Sequence, residues 1–539
     1  MNPRLAAFLA AHAKPSTEKT VETKEKEEIP FSKKETFSLS IVLDSDQQDA
    51  VDLAKAGKSF CLIGKAGTGK TTSEREIVKA LIEKYKGQSH TFRVQGTTTK
   101  VDSHAIAVVA FTRVASGNSK KAIIKEESLA SFEHNITTLH NFLEFAPEFF
   151  WDEEKQKDSM RFLPRRDSQN PLTTAAIIFE ESSMIDLALW EKIYDAMQRG
   201  TQCIFIGDIN QLPPVFGPSI LNYALTQLPI VELKTVYRQS FESNVLLNAH
   251  NILEGKPLVE APDFKILEGG PVQKGQHSVM LSLKASLEIW MKDGRYNPET
   301  DIILSPFNVK DLGTDNINSH VAEIVNREAV VFEIFAGIRR FYLAVGDKIM
   351  YQKQAGIVTA IYSNGLYSGR RPKPASKHMS RFGVMMLDEE IIDEEEGLIQ
   401  GFDTSLEQLE KKDLEELSRQ SSHVVEILLE TGETHRLAKT GDLSAASFSL
   451  AYALTVHKAQ GCEWRKVIIV LHKDHSIMAY NELLYTAVTR ASKEVVIVGK
   501  KYMIQKAIDT RRIKGSTIED KIQYFNANLS LEGVLCTKN

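Results

Sequence analysis

The sequence predicts an α/β protein with two parallel sheets, each covered by helices on both faces. Three observations lead there. Short apolar runs recur at 59–63, 107–111, 175–179, 202–206, 301–304, 467–471 and 495–498, of a length and β-branched content that suit buried strands. Helical spacing lies between them, as in 71–85, where Ile77, Val78 and Leu81 recur among charges. Strands alternating with helices build parallel sheets. The strands also fall into two clusters, roughly 39–235 and 236–525. A chain of 539 residues is long enough for three to four domains.

The first strand runs into Gly64, Lys65, Ala66, Gly67, Thr68, Gly69, Lys70 and Thr71, followed by Thr72. This is Gly, four residues, Gly, Lys, then Ser or Thr, the pattern of a phosphate-binding loop. A strand turning through glycines into a helix N-terminus aims several backbone N–H groups at one anion. Lys70 would reach the β- and γ-phosphates and Thr71 would hold Mg²⁺, so the chain is expected to bind ATP with Mg²⁺. The run 175–179 ends in Glu180 and Glu181. Strand-end carboxylates serve a hard cation and the attacking water. The run 202–206 leads into Gly207, Asp208, Ile209, Asn210 and Gln211, where Gln211 can reach the γ-phosphate or that water. Two further arginines, Arg238 after Tyr237 and Arg490 after Thr489, close α/β segments and suit transition-state charge.

Residues 1–38 are rich in Lys, Glu, Thr and Pro and are expected to be disordered. Within them, 3–13 can form a short helix with Leu5, Phe8 and Leu9 on one side, which would suit a docking peptide. The net charge of −5 is local in origin: residues 388–416 hold thirteen Asp and Glu against two Lys. The remainder is net positive, so a polyanionic partner is not excluded. Cys61, Cys203, Cys462 and Cys536 are far apart, which implies neither a metal cluster nor a disulfide framework. No apolar run reaches bilayer length and the N-terminus lacks a signal peptide's core. A cytoplasmic, monomeric protein is expected, associated with the nucleoid, or in the host cytoplasm if viral.

Taken in order, these motifs resemble the superfamily 1 helicases of the 5′→3′ branch, which holds RecD-like, Pif1-like and phage Dda-like enzymes. The likeness covers about 43–499. It implies two RecA-like P-loop domains in tandem, 39–235 and 236–345 plus 449–525. A β-hairpin pin is implied at about 141–172, and an SH3-like insertion at 346–448 with an acidic elaboration at 386–418; 526–539 would be a tail. Gln47 would read the adenine edge and Tyr237 would stack on the base. Arg238 and Arg490 would be arginine fingers, and Gly461 would lie in the motif that couples nucleotide to DNA. Lys70, Glu181, Gln211, Arg238 and Arg490 would be catalytic, with Thr71 and Glu180 at the metal. The chain departs from the family at Glu180, where Asp is usual, and at Phe111-Thr112, where Pro-Thr is usual.

The DNA track would use Thr112, Arg113, Thr138 and His140 in the first unit and Pro306, Asn308, His457 and Lys458 in the second. Phe150 and Trp151 would sit on the pin. The expected activity is ATP-dependent 5′→3′ unwinding of forked DNA from single-stranded DNA, in replication, recombination or repair. Replication or recombination proteins could dock on the tail or the acidic insertion. Two alternatives remain: an RNA-directed member of the superfamily, and a nucleotide-gated single-strand clamp that does not unwind.

Overall fold

The structure, a computed structural model, describes residues 43–94, 99–152, 157–214, 217–236, 243–268, 278–309, 312–336, 339–351, 354–362, 366–367, 424–430, 432–438, 440–444, 447–515 and 517–529. Tyr237, Arg238, the tail 1–38, the elaboration 386–418 and the last ten residues lie outside the described residues.

Six strands form the first sheet: β1 (Phe60–Gly64), β2 (Ile106–Ala110), β3 (Ile136–Thr138), β4 (Ala176–Glu180), β5 (Gln202–Gly207) and β6 (Ile230–Leu233). Their order is β6-β1-β5-β4-β2-β3 and every pairing is parallel. The second sheet holds β7 (Phe264–Leu267), β8 (Asp301–Ser305), β9 (Ala453–Thr455), β10 (Trp464–Leu471) and β11 (Ala491–Gly499). Its order is β7-β11-β10-β8-β9, again all parallel. This is the expected fold class. The apolar runs are continuous because successive side chains enter different cores: Val467, Ile469 and Leu471 pack on one face of the second sheet, Ile468 and Val470 on the other. Strands buried on both faces have no polar side to alternate with.

Eight helices matter for the site: α1 (Ser45–Ala56), α2 (Lys70–Lys84), α3 (Arg113–Ile124), α4 (Ile220–Gln227), α5 (Asn244–Glu254), α6 (Asn481–Val488), α7 (Lys501–Asp509) and α8 (Ile518–Asn528). The Asp44 carboxylate caps α1, accepting from Gln47 N–H at 2.8 Å. Helix α8 departs from expectation. The second unit is expected to run to 525, yet Ile513 and Phe525 are buried in the core of the first sheet, with Ile518, Ile522 and Leu529 packed against it. The apolar spacing of Ile518, Ile522, Phe525 and Leu529 marks one helical stripe, but spacing does not say which core receives it.

Two smaller β modules interrupt the α/β order. Strands Ala146–Asp152 and Lys157–Leu163 pair as an antiparallel hairpin, with Phe150 opposite Ser159 and Trp151 opposite Asp158. In the second unit, Lys348–Tyr351, Gln354–Tyr362, Val424–Leu429, Thr434–Leu437 and Phe448–Leu450 form a five-stranded antiparallel sheet. Its core also takes Ile334 and Leu343, from a hairpin that starts at Val331, ahead of the expected start at 346.

One buried group makes fold stability depend on pH. His90 is 3% exposed and its Nδ1 accepts from the Thr173 N–H at 3.3 Å. Burial, reinforced by Arg166, lowers its pKa to about 4. The unfolded chain therefore binds the proton first, so the contribution of His90 is present above its ordinary pKa of 6.5 and is lost as pH falls toward 4. The loss amounts to at most about 3 kcal/mol. Thermal unfolding between pH 7 and 4.5 should show a shallower loss of Tm in His90→Gln than in the parent; parallel curves would refute the assignment.

Candidate nucleotide site and nucleic-acid interface

Strands β1, β5 and β4 are adjacent in the first sheet, so the loops that leave their C-terminal ends meet at one edge. Those loops carry Gly64–Thr71, Asp208–Gln211 and Glu180–Glu181, as expected for a ligand site in an open α/β sheet.

The phosphate-binding loop leaves no room for side chains where it closes. A Cβ at Gly64 would stand 2.2 Å from Thr68 Oγ1. Gly67 and Gly69 hold φ of 81° and 82°, a left-handed region that suits glycine. Gly69 is the N-cap of α2 and makes no side-chain cap bond, so the first-turn N–H groups of Lys70 and Thr71 are not capped by a side chain. Lys70 Nζ donates to the carbonyls of Gly64 at 2.7 Å and Lys65 at 3.1 Å, which arches its ammonium over the loop. Thr71 is exposed in that first turn and Thr72 N–H returns to Gly69 O at 3.0 Å. Gln47 is 1% exposed. Its Oε1 accepts from Asp44 N–H at 3.2 Å, while its Nε2 is buried without a partner, a donor suited to a base edge.

The acidic pair is strained and electrostatically loaded. Glu181 holds φ 49° and ψ 42°, rare for a residue with a side chain and a mark of functional strain. Its N–H donates to Glu180 Oε2 at 3.0 Å. Burial and the neighbouring Glu181 raise the Glu180 carboxyl to about 7, against a smaller opposing pull from Lys70. A third carboxyl, Glu74, is wholly buried on α2 and has no hydrogen-bond partner of ordinary geometry. Burial first, then Glu180, push its pKa well up, with Ser119 opposing. Sequence reading missed Glu74, because a lone Glu among helix charges looks like a solvated face. One strand-end carboxylate with a first-turn threonine is a donor set that suits Mg²⁺ shared with substrate phosphates, so the residues present fit that ion.

The second unit reaches this site directly. The Tyr485 hydroxyl on α6 accepts from Ala66 N–H at 3.0 Å and donates to Asp208 Oδ2 at 2.6 Å; both side chains are buried. Thr486 Oγ1 accepts from Leu212 N–H at 2.9 Å, and Gln460 Nε2 donates to Leu212 O at 2.9 Å. Gln211 is buried and its Oε1 has no partner, leaving an acceptor beside the cleft. Arg490 is buried, and its guanidinium donates to Thr486 O at 3.2 Å, Cys462 O at 3.4 Å and Thr489 Oγ1 at 3.3 Å. It is therefore held by its own unit. Asp208 lies in the loop singled out by sequence and Tyr485 five residues before Arg490, but their mutual contact has no local signal.

The residues expected on the nucleic-acid track fall on neighbouring strand ends. Thr112 and Arg113 follow β2, Thr138 and His140 follow β3, and Ala110 pairs with Thr138. Pro306 and Asn308 follow β8, His457 and Lys458 follow β9, and Ser305 pairs with Thr455. Several of these groups have structural duties as well. Thr112 and Thr138 hydroxyls accept from Ala115 N–H at 3.1 Å and Asn141 N–H at 3.2 Å, Asn308 Oδ1 accepts from Thr314 at 3.0 Å, and the His140 ring lies 4.9 Å from that of Phe145. Arg113 has its pKa lowered by burial, with Glu433 and Tyr351 of the antiparallel module opposing. Gly461, at φ 76°, abuts Thr112: a Cβ there would stand 3.0 Å from Thr112 Oγ1, and Asn118 Nδ2 donates to Gly461 O at 3.0 Å. The side chains of Phe150 and Trp151 are outside the described set.

Fold and site together define a P-loop nucleoside-triphosphatase with two parallel α/β units. The family model of an AAA domain matches residues 47–217, and that of a UvrD-like helicase C-terminal domain matches 450–498. The chain is 25% identical over 356 residues to the ATP-dependent RecD2 DNA helicase of Deinococcus radiodurans, covering 66% of this chain and 38% of that one. It is 23% identical over 516 residues to the RecBCD enzyme subunit RecD of Buchnera aphidicola, covering 86% and 74%. A solved Bacteroides Pif1 helicase in complex with ADP-AlF3 and ssDNA aligns over 92% of this chain and 99% of its own, at 18% identity and a TM-score of 0.46. The chain is thus similar to RecD-type proteins over most of its length and carries the AAA and UvrD-like helicase C-terminal signatures in order. It spans little more than a third of the Deinococcus protein.

Proposed function

We propose that the chain is an ATP-dependent DNA helicase that moves 5′→3′ along single-stranded DNA and parts the duplex ahead of it, in replication, recombination or repair. The observation that carries this reading is the Tyr485 hydroxyl, which bonds the phosphate loop at Ala66 and the Asp208 loop from the second unit. A nucleotide entering the phosphate loop thereby acts on the contact between units. The name of the Deinococcus relative, an ATP-dependent RecD2 DNA helicase, supports DNA as the substrate.

In this reading Gln47 and Tyr237 hold the base, and the loop from Gly64 to Thr72 holds the phosphates. Lys70 neutralises the γ-phosphate while Glu181 and Gln211 orient the attacking water. Arg238 and Arg490 meet charge that develops in the transition state. Mg²⁺, held by Thr71 and Glu180, would offset the charge shared by the β- and γ-phosphates. Paired strand ends make two grips on the backbone, Thr112, Arg113, Thr138 and His140 against Pro306, Asn308, His457 and Lys458. The hairpin bearing Phe150 and Trp151 meets the fork. Opening and closing of the cleft changes the spacing between the grips.

Matched 5′-tailed and 3′-tailed duplexes with ATP test activity and direction together. Unwinding of the 5′-tailed substrate alone is expected. Unwinding of the 3′-tailed one alone would reverse the direction. Turnover stimulated by poly-dT without unwinding would make the chain a clamp, and greater stimulation by poly-U would make RNA its track.

A further inference from the structure

The last helix connects to the nucleotide loops through a chain of short polar contacts. Lys521 on α8 is 5% exposed and its Nζ donates to Asn210 Oδ1 at 2.6 Å. Asn210 donates in turn to Asp208 Oδ1, through its backbone N–H at 2.9 Å and its Nδ2 at 3.0 Å. The other carboxylate oxygen of Asp208 takes the Tyr485 hydroxyl, which receives the Ala66 N–H of the phosphate loop. Gln211 follows Asn210 directly, and its N–H bonds back to Asp208 O at 3.1 Å.

The route runs beside a cavity of about 240 Å³ lined by Lys65, Asn210, Glu482, Arg511 and Lys521. Around it, Glu482 accepts from the N–H groups of Arg512 at 3.1 Å and Ile513 at 3.0 Å. That contact turns the chain from α7 on the second sheet toward α8 on the first. An apolar helix stripe would dock without any of this. A buried lysine costs desolvation that Phe525 and Ile522 do not require, so its place needs a purpose other than packing.

We propose that Lys521 is a positioning residue for the nucleotide site: from α8 it holds the loop of Asp208, Asn210 and Gln211 in register with the phosphate-binding loop, so that docking of α8 on the first unit conditions nucleotide turnover. This rests on the proposed ATP-driven activity. The helix follows the second unit in sequence and packs on the first, so movement between the units pulls on the same contact. Burial lowers the Lys521 pKa to about 8, with Asp208 and Glu482 opposing and Arg511 and Lys65 reinforcing the drop. The link therefore weakens as pH rises through that value.

The test compares the parent with Lys521→Met and Lys521→Arg. Methionine fills the same space without a buried charge, so Tm should be unchanged or raised. Turnover stimulated by single-stranded DNA should still fall by roughly 10- to 100-fold in kcat, with KM for ATP within a few-fold, and Lys521→Arg should recover part of the loss. Backbone amide exchange should speed up in 59–72 and 202–214, far from the substitution in sequence. Asn210→Ala cuts the same link from its other end and should reproduce the exchange pattern even if the methionine variant folds poorly. Faster exchange confined to α8 and the α4 surface beneath it, or kcat equal to the parent's, would overturn the proposal. A parent with no strand-stimulated turnover would refute the proposed function instead, and the exchange pattern alone would then decide the relay.

Discussion

Glu181→Gln should slow strand-stimulated ATP turnover by roughly 10²–10⁴-fold while nucleotide and single-strand binding stay near the parent's. The substitution keeps the length and shape of the side chain, so the left-handed turn at φ 49° bears the same strain before and after. Only the ability to take a proton is removed. The pair is asymmetric in a way that supports this division. Glu180 accepts the Glu181 N–H and is pushed up to about 7 by burial and by its neighbour. A negative charge on Glu180 itself is therefore costly until a cation arrives, which suits a metal ligand. Glu181 sits one residue beyond the strand, in a left-handed turn. Trapping of an ATP-bound, strand-bound complex by Glu181→Gln in a filter-binding assay would agree; unchanged turnover would place the base elsewhere. Glu180→Gln makes the complementary case, with its defect falling on Mg²⁺-dependent nucleotide affinity.

Much of the fold was legible because its constraints are local. Gly64, Gly67 and Gly69 answer to a close approach and to left-handed backbone, and both are properties of single positions. Strands β1, β2, β4, β5, β8, β10 and β11 are apolar runs because both faces are covered. The four edge strands of the two parallel sheets were not legible: β3 and β9 have three residues each and β6 and β7 four, too few for a period to stand out. At the site, Lys70, Glu180, Glu181 and Gln211 follow from where strands end, and their loops do converge.

The illegible part is whatever joins distant segments. Tyr485 and Ala66 are separated by 419 positions, and nothing near either one announces the other. Helix α8 shows its apolar stripe plainly, but a stripe carries no address, and the first sheet's core received it. Glu74 was missed for the opposite reason. It sits beside Arg75 and Glu76 in a charged stretch of sequence, and only the packing around it and Ser119 beside it show that its carboxyl is indoors.

Arg490→Lys should lower kcat by ~10³-fold or more, the size of effect that an arginine at a transferring phosphoryl group supplies, with ATP affinity changed only a few-fold. In the structure the guanidinium holds Cys462 O and Thr486 O at once, joining the end of α6 to the loop after Gly461. A planar fork can make both contacts; a lysine ammonium is a single point charge and loses the geometry. The three contacts, at 3.2–3.4 Å, are long for N–H···O bonds, so releasing them as the cleft closes costs little. Tyr485 and Thr486, one helical turn earlier on α6, already touch Ala66 and Leu212 of the first unit, so Arg490 follows directly on the helix that meets the nucleotide loops. Steady-state kinetics with single-stranded DNA, alongside Tm, separates the two roles open to this residue. A drop in kcat with Tm held marks an arginine finger, whereas lost Tm with unchanged kcat would make Arg490 a clasp within its own unit and leave transition-state charge to Lys70 and Arg238.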